Sequence, residues 1–376
     1  MGANVRVAEA LLDDPALGRW IGARYRLVRV LGRGGMGAVY EAATADGGSF
    51  AVKIVRPDVP LRPDGLRRFA RESRAAQQIE NPHVARVVDA GTDEGLGLPF
   101  LVMERLQGRD LREALRDVGP LEPSCAARLF VQACQGLAAA HACGVVHRDI
   151  KPANLFLQET ATGEIVLKLC DFGVAKHVAL PEDSRELTKS DGILGSPMYM
   201  SPEQSRNPRT VDHRSDIFSL GVTLYETLTG RSPWRGLSAL DLVVAVCTTD
   251  APQLASLAPW VPPGLADAVH RALARNPNER FASANEFALA LRPFVDDSAS
   301  SHQLSGLTTE QRYSTQVSAP PVAVTTAPGT EWTGDAVSAE RPEQRVRWRW
   351  LALFLGMVFA WVAVARLGIP MIDLVP

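Results

Sequence analysis

The sequence predicts an α+β protein in which a small β-rich lobe precedes a larger helical lobe. Over residues 25–106, short segments of alternating apolar and polar residues indicate strands. Over residues 107–294, longer segments with apolar residues at helical spacing indicate helices. Because the strands come first and the helices follow, we expect the two kinds of element to form separate lobes.

The predicted elements can be assigned in chain order. Strands are expected at residues 25–31, 38–42, 50–55, 84–89 and 100–103. A helix is expected at residues 66–79, between the third and fourth strands, because apolar or small side chains recur there at helical spacing. The helical lobe is expected to contain helices at residues 111–116, 126–142, 216–229, 239–247, 265–274 and 284–291.

The composition excludes several classes of protein. Of 376 residues, 46% are hydrophobic and 22% charged, which is ordinary for a globular protein. Forty basic against 42 acidic residues argue against a nucleic-acid binder, which usually carries a basic excess. Five cysteines with no C-x-x-C spacing argue against a disulfide framework and a structural zinc site, and they fit a reducing compartment. The first 20 residues contain no long apolar run, so we expect no secretory signal.

The two ends of the chain differ in composition from the predicted lobes. Residues 1–24 are expected to form a loose lead-in. Residues 295–347 are rich in Ser, Thr and Pro, a composition typical of a disordered linker. Residues 348–372 are expected to form a transmembrane helix, since 16 successive residues from 350 to 365 carry no charge. A buried or amphipathic helix is the alternative, which the lack of a polar stripe weakens.

The charges around this segment indicate its orientation. Four arginines precede the apolar segment at positions 341–349, whereas Arg366 alone follows it closely. Because positive residues favour the cytoplasmic side, we expect a single-pass protein of the inner membrane with its folded lobes in the cytoplasm. Arg366 would then lie near the far interface, where its long side chain reaches the headgroups.

A glycine motif opens the predicted small lobe. Gly32, Gly34 and Gly37 have G-x-G-x-x-G spacing, which alone fits a dinucleotide site, a phosphate-covering hairpin or an ordinary turn. A dinucleotide site requires a helix after the last glycine, but residues 38–40 favour a strand. A strand–turn–strand hairpin can present backbone N–H groups to phosphates where side chains would clash.

A lysine and a glutamate follow on the next two elements. Lys53 lies on a predicted strand and faces away from its neighbours Val52 and Ile54. Glu72 lies on the predicted helix of residues 66–79. A Lys–Glu pair would hold the ammonium where it can meet nucleotide phosphates. The alternatives are a solvated edge lysine and a surface glutamate.

Two further motifs carry the most specific signal. The segment HRDIKPAN at 147–154 places Asp149 and Asn154 in a polar loop, and KLCDFG at 168–173 places Asp171 after a strand. Asn154 and Asp171 offer oxygen ligands, which suit Mg²⁺. Asp149 then remains to accept the proton of a substrate hydroxyl. The order and spacing of the two motifs together make a chance match improbable.

With these motifs in place, the chain resembles the eukaryotic-like (Hanks-type) serine/threonine protein kinases, especially their membrane-anchored bacterial branch. The resemblance covers residues 25–294 and implies a bilobal protein-kinase fold that uses ATP and Mg²⁺, with Mn²⁺ as an alternative. It implies that Lys53 contacts the α- and β-phosphates and pairs with Glu72, and that Lys151 steadies the transferred group. Asp149 would be the catalytic base, and Asn154 and Asp171 the metal ligands. The adenine site would comprise Leu31, Val39, Ala51, Met103, and the hinge residues Glu104 and Leu106, below the glycine loop of Gly32, Gly34 and Gly37.

The resemblance also implies specificity and regulation. Asp149-x-Lys151 and the segment GSPMYMSPEQ at 195–204 favour serine and threonine over tyrosine, although Ser196 and Ser201 replace the family's threonine and alanine. Glu203 is expected to pair with Arg280, and Asp216 to support the catalytic loop. Thr188 and Ser190 are candidate autophosphorylation sites that Arg148 would bind.

The implied function is phosphoryl transfer from MgATP to proteins in bacterial signalling, with protein substrates, a membrane anchor, a homodimer for autophosphorylation and no nucleic acid. Two alternatives are a membrane-tethered scaffold without catalysis and a small-molecule phosphotransferase.

Overall fold

The computed structural model describes residues 14–35, 37–58, 63–172, 197–207, 211–296 and residue 307. In the small lobe the elements are β1 (Trp20–Ile21), β2 (Tyr25–Gly34), β3 (Gly37–Ala43), β4 (Ser49–Val55), α1 (Pro63–Gln77), β5 (Val87–Thr92) and β6 (Pro99–Glu104). These six strands form one antiparallel sheet in the order β1-β2-β3-β4-β6-β5.

The larger lobe begins after β6. It contains β7 (Gly108–Asp110), α2 (Leu111–Val118), α3 (Pro123–Ala142), β8 (Leu155–Glu159), β9 (Ile165–Leu169), α4 (Pro202–Arg206), α5 (Arg214–Thr229), α6 (Ala239–Thr248), α7 (Leu254–Leu257), α8 (Pro263–Ala272) and α9 (Ala284–Leu291). A second sheet of β7, β8 and β9 lies in this lobe. The predicted division into a β-rich and a helical lobe is therefore confirmed.

Each face of the large sheet packs against a different core. Alternate residues of the strands, among them Leu27, Tyr40, Val52 and Val102, are buried in a core on the outer face, which we call the outer core. The opposite, inner face carries Lys53, because side chains alternate along a strand. This alternation separates the residues that stabilise the small lobe from those that are available to a ligand.

The core of the larger lobe is built around α5. Thirteen of its 16 residues are buried, so this helix is enclosed on nearly all sides rather than exposing a polar face. Its buried hydroxyls are satisfied locally: Thr223 and Thr227 each donate to a carbonyl four residues earlier, at 2.8 Å. A buried central helix gives the residues at its N-terminus, beginning with Arg214, a rigid support.

The structure departs from the predicted elements mainly where strands are short. The strand expected at 84–89 is found three residues later, at Val87–Thr92. The strand expected just before Asp171 is β9, but the sequence analysis did not predict β1, β7 or β8, which run for only two to five residues. Such short strands give too few alternations to be distinguished from loops. Residues 1–24 were expected to form a loose lead-in, but β1 lies within this range and pairs with β2.

One residue of the predicted linker packs on the larger lobe. Leu307 is fully buried and belongs to the same core as Leu111 and Ala114 of α2. Its carbonyl accepts a hydrogen bond from the guanidinium of Arg109, which also forms an ion pair with Asp117 at 2.6 Å. The composition of residues 295–347 gave no reason to expect this contact.

The predicted membrane span, residues 348–372, lies outside the described residues. Within the part of the chain that the structure describes, no helix combines the length and the apolar character needed to cross a membrane.

Candidate active site

The loop between α3 and β8, residues 143–154, is the expected catalytic loop. It is held by hydrogen bonds to Asp216. This carboxylate is fully buried at the start of α5 and accepts hydrogen bonds from the backbone N–H groups of His147 and Arg148, both at 2.8 Å. The ring of His141 lies 2.9 Å from Oδ2 of Asp216, the same oxygen that accepts from the His147 N–H. Arg148 has a φ of +61°, a conformation that a non-glycine residue adopts only when its surroundings fix it. The predicted support of the loop by Asp216 is what the geometry shows.

Asp216 is held in its charged form. Burial would raise the pKa of this carboxyl, but the hydrogen bonds and charge of His141 and the backbone of His147 outweigh burial and lower it. A buried carboxylate that accepts several hydrogen bonds fixes their donors more firmly than a neutral acceptor would.

Three of the predicted catalytic and metal-binding residues meet in this loop. The Lys151 ammonium lies 2.9 Å from Oδ2 of Asp149. Asn154 donates its side-chain amide to the backbone oxygen of Asp149 at 2.7 Å and to Oδ2 at 3.1 Å. Both donors therefore fix the orientation of the Asp149 carboxylate, which is only 15% exposed. Asp149 is thus a positioned hydrogen-bond acceptor beside a cation, as a general base for a hydroxyl requires.

Lys53 and Asp171 form an ion pair between the two lobes. The distance from Nζ of Lys53, on β4, to Oδ1 of Asp171, just after β9, is 2.8 Å. Burial would raise the pKa of Asp171, but the charge of Lys53 and its hydrogen bond outweigh burial and lower it. Asp171 has a φ of +58°, so its backbone also adopts an unusual conformation at this position.

Glu72 has a different electrostatic environment from the one expected. Burial raises the pKa of this α1 carboxyl to about 6, and the nearby positive charges of Arg148, Arg71 and Arg68 oppose the rise. The ion pair that the structure gives Lys53 is the one with Asp171 rather than the expected one with Glu72. Sequence spacing cannot decide between the two carboxylates, because the choice depends on the orientation of α1.

The glycine motif forms the hairpin of β2 and β3, where Gly34 pairs with Gly37. A Cβ atom on Gly37 would lie 2.2 Å from the backbone oxygen of Ile54, so only glycine fits beside β4. A Cβ on Gly32 would meet nothing within 4 Å. Gly37 is therefore required by the fold, whereas Gly32 leaves space that a bound phosphate can use.

The predicted adenine-site residues lie on the inner face of the sheet and at the hinge. Val39 pairs with Lys53, and Ala51 pairs with Met103, so these side chains are neighbours on adjacent strands. Met103 is buried at the end of β6, and Leu106 is buried shortly after it. The expected residues Leu31, on β2, and Glu104, at the end of β6, complete this region.

Glu104 is held in place at the hinge by three contacts. Its carboxylate accepts from Lys168 at 2.7 Å and from the N–H of Arg86 at 2.8 Å, and its own N–H donates to the Arg86 carbonyl at 2.9 Å. Its side chain and its backbone N–H are therefore both occupied by contacts within the fold.

Asn154 and Asp171, the residues expected to bind a metal, offer oxygen donors of the kind that a hard divalent cation prefers. Asn154 and Asp171 are adjacent, since the N–H of Cys170 donates to the Asn154 carbonyl at 2.9 Å. Because Asn154 uses its amide nitrogen on Asp149, its side-chain oxygen is the atom oriented toward other partners. Mg²⁺ is commonly held by one or two protein oxygens together with phosphates and water. Among the described residues, no group of three or more His, Cys, Asp or Glu side chains could hold a metal ion.

The segment after the cleft is fixed to both α5 and the catalytic loop. Arg280, only 3% exposed, binds Glu203 through two hydrogen bonds of 2.7 and 2.8 Å. Ser201 is buried, accepts from the N–H of Gln204 as the N-cap of α4, and donates to Ser215 at 3.1 Å. The hydroxyl that replaces the family's alanine is thus satisfied.

Some functional residues were missed by the sequence analysis or lie outside the described residues. Gln204 donates to the Arg148 carbonyl at 2.9 Å and so ties α4 to the catalytic loop; no pattern in the sequence singles it out. Cys170 is half-buried, and burial raises the pKa of its thiol, which fits a structural residue better than a reactive one. The candidate phosphorylation sites Thr188 and Ser190, together with Ser196, lie outside the described residues.

Comparison with known proteins places this geometry in a family. The protein kinase domain family matches residues 25–289. The crystal structure of the PknI kinase domain of Mycobacterium tuberculosis matches with a TM-score of 0.58 and 27% identity, over 75% of this chain and all of that one. The chain belongs to the protein kinase domain family.

Curated proteins similar to this chain include bacterial serine/threonine-protein kinases. The probable serine/threonine-protein kinase PknB of Corynebacterium glutamicum is 35% identical over 312 residues, or 79% of this chain. The serine/threonine-protein kinase PknH of Mycobacterium tuberculosis is 36% identical over 319 residues, or 85% of this chain. The matches cover 47% and 49% of these two relatives, so the chain spans about half the length of the proteins that it resembles.

Proposed function

We propose that this protein is a serine/threonine protein kinase that transfers the γ-phosphoryl group of ATP to protein hydroxyls. The observation that carries the proposal is the fixed Asp149 carboxylate, oriented by Lys151 and Asn154 beside the Lys53–Asp171 pair. A proton acceptor, two cations and two metal-ligating oxygens are then within one cleft. Phosphoryl transfer depends mostly on positioning and on neutralisation of charge, which these groups supply.

Each residue would have a distinct role in the reaction. Asp149 accepts the hydrogen bond of the substrate hydroxyl and then its proton as the oxygen attacks phosphorus. Lys151, 2.9 Å from that carboxylate, is near enough to stabilise the transferred group as its charge develops. Lys53 binds the α- and β-phosphates. Mg²⁺ or Mn²⁺, held by Asn154 and Asp171, would neutralise charge on the phosphates.

The Lys53–Asp171 pair suggests how the cleft accepts a nucleotide. Lys53 holds a positive charge where phosphates would bind, and Asp171 holds a negative charge where the cation would bind. Binding of the nucleotide with its cation can exchange one ion pair for two without leaving either charge unpaired in a partly enclosed site.

The cellular setting is part of the same proposal. Residues 348–372 would anchor the protein in the inner membrane by a single helix, with the two lobes in the cytoplasm. The partners would be protein substrates and a second copy of the chain, for autophosphorylation of Thr188 or Ser190 in the segment between Asp171 and Glu203. No nucleic-acid partner is expected from a net charge of −2.

The experiment compares the full chain with Asp149→Asn, which keeps the shape of the side chain but removes the proton acceptor. Both proteins receive labelled ATP with Mg²⁺ and a peptide acceptor, and phosphate is mapped by mass spectrometry. We expect transfer to fall by roughly 100-fold or more while ATP binding persists. Asp212→Asn serves as the matched control and should retain activity. Asp212 lies outside the cleft, and its carboxylate forms an ion pair of 2.7 Å with Arg214. ATP binding without transfer in the parent protein would favour a scaffold.

A further inference from the structure

A short segment before β1 connects the glycine hairpin to the outer face of the sheet. We call residues 14–19 the strap. Its far end is fixed to the start of β2 by two backbone hydrogen bonds, from Gly18 to the Leu27 carbonyl and from Leu27 to the Arg19 carbonyl, each 2.9 Å. Ala16 and Leu17 pack against the outer core. The strap is therefore held by the fold at one end.

The other end of the strap carries a buried carboxylate. The side chain of Asp14 is 4% exposed and accepts from the N–H of Ala16 at 2.9 Å and from the hydroxyl of Tyr40, on β3, at 2.9 Å. Its third donor is the guanidinium of Arg33, at 2.5 Å. Burial would raise the pKa of Asp14, but these three donors outweigh burial and lower it, so the group is charged near neutral pH.

Arg33 lies inside the glycine motif, between Gly32 and Gly34. Gly32 and Gly34 pair with β3 but have open space beside them: a Cβ on Gly32 would meet nothing within 4 Å, and one on Gly34 only the Gly37 carbonyl at 3.9 Å. A glycine-rich hairpin with open space around it has many accessible conformations, and an anchor restricts them. Arg33 supplies such an anchor, because its partner is fixed from the strap and from β3.

Packing alone does not hold the strap against this part of the sheet. A cavity of about 330 Å³ lies there, lined among others by Asp14, Arg33, Tyr40, Ile54 and Leu98. Where side chains leave such a space, directional polar contacts decide the position of the segment. The link from the strap to the hairpin thus depends on the polar contacts of Asp14.

We propose that Asp14 is a positioning residue for the nucleotide site, acting through Arg33 to hold the glycine hairpin over the phosphates. The inference rests on the proposed function, since it assumes that the hairpin covers bound ATP. The hairpin would contact the phosphates before and during transfer alike, so loss of the anchor weakens ATP binding without slowing the chemical step.

The test measures KM for ATP and kcat in the full-length protein and in Asp14→Asn, Arg33→Met and the double variant. We expect each single variant to raise KM by roughly two- to fivefold, the effect of losing one partly exposed ion pair, with kcat nearly unchanged. The double variant should be no worse than either single one, because both remove the same interaction. Arg33→Lys, which keeps the positive charge, should retain most of the parental affinity for ATP.

Arg29→Met is the matched control. Arg29 lies on the same strand and pairs with Glu41 of β3 at 2.7 Å, but it is outside the glycine motif and does not contact the strap. We expect this variant to keep the parental KM. An equal rise in KM for Arg29→Met, or fully additive effects of Asp14→Asn and Arg33→Met, would overturn the proposal.

A second measurement does not depend on catalysis. Hydrogen exchange of peptides covering residues 31–38 should be faster in Asp14→Asn and Arg33→Met than in the parent and in Arg29→Met. Unchanged exchange would refute the role of Asp14. If the parent protein neither binds nor uses ATP, but the two variants still exchange faster than the parent, the anchor is supported and the proposed function is refuted. Should Asp14→Asn unfold, Arg33→Met decides alone, because the Arg33 side chain is 51% exposed and its replacement leaves the core intact.

Discussion

The ammonium of Lys53 lies 2.8 Å from a carboxylate oxygen of Asp171, and the two residues come from opposite lobes. The ion pair therefore spans the cleft and connects β4 to the residues that follow β9. Under the proposed function, a nucleotide would pair with Lys53 and its cation with Asp171, so the affinity for the nucleotide would depend on how readily this ion pair is exchanged.

Replacement of Lys53 tests that relationship. Lys53→Met removes the cation expected to bind phosphates and leaves Asp171 without its partner, so transfer from ATP should fall by roughly 100-fold or more. Arg271→Met is the control, since Arg271 of α8 forms an ion pair of similar length with Glu286 of α9 and should leave transfer unchanged. A radiometric transfer assay measures both. Near-parental activity in Lys53→Met would contradict the assignment of Lys53.

The pKa of Glu72 predicts a pH dependence of stability. Burial raises this pKa from 4.5 to about 6, so the folded protein retains a proton that the unfolded chain releases. The stability that this bound proton contributes is fully present below pH 4.5 and is lost as the pH rises through 6. The free energy of unfolding therefore falls by about 2 kcal/mol over this range. Urea titrations between pH 4.5 and 7 measure it.

Glu72→Gln isolates this effect from the histidines that titrate in the same range. The variant has no proton to release, so the difference in unfolding free energy between it and the parent should vary across this window. A difference that is constant with pH would show that Glu72 does not titrate as described.

The Glu203–Arg280 pair predicts a large effect on stability. The Arg280 side chain is fully buried and binds both oxygens of Glu203, so Arg280→Met leaves a mostly buried carboxylate without its partner. We expect a loss of about 3–5 kcal/mol in denaturant unfolding. Arg56→Met removes an exposed pair with Asp58 and should cost less than about 1 kcal/mol. Equal losses in the two variants would contradict this account.

The glycine motif predicts two different outcomes for the same substitution. Gly37→Ala places a Cβ 2.2 Å from the Ile54 carbonyl, so β3 and β4 must separate, at a cost of about 1–3 kcal/mol. Gly32→Ala meets no atom within 4 Å and should leave the melting temperature almost unchanged. Thermal unfolding of both variants gives the comparison. Equal destabilisation would mean that the hairpin has a different register.

The sequence predicted the two lobes from its strand and helix periodicities, and its polar motifs singled out Asp149, Lys151 and Asn154, which the structure brings into contact. It could not predict which carboxylate Lys53 binds, since the choice between Glu72 and Asp171 depends on the orientation of α1. It also missed the link between Asp14 and Arg33, because nothing in the spacing of these residues marks them as neighbours.

The burial of Leu307 has a consequence for where the folded unit ends. The match to the kinase family stops at residue 289, and the last continuous described segment stops at residue 296. Leu307 nevertheless belongs to the core, and its carbonyl is a partner of Arg109. A protein truncated after residue 296 would keep every family motif and still lose a core side chain, which typically costs about 2–5 kcal/mol. A domain boundary drawn from family resemblance would thus leave out a residue of the hydrophobic core.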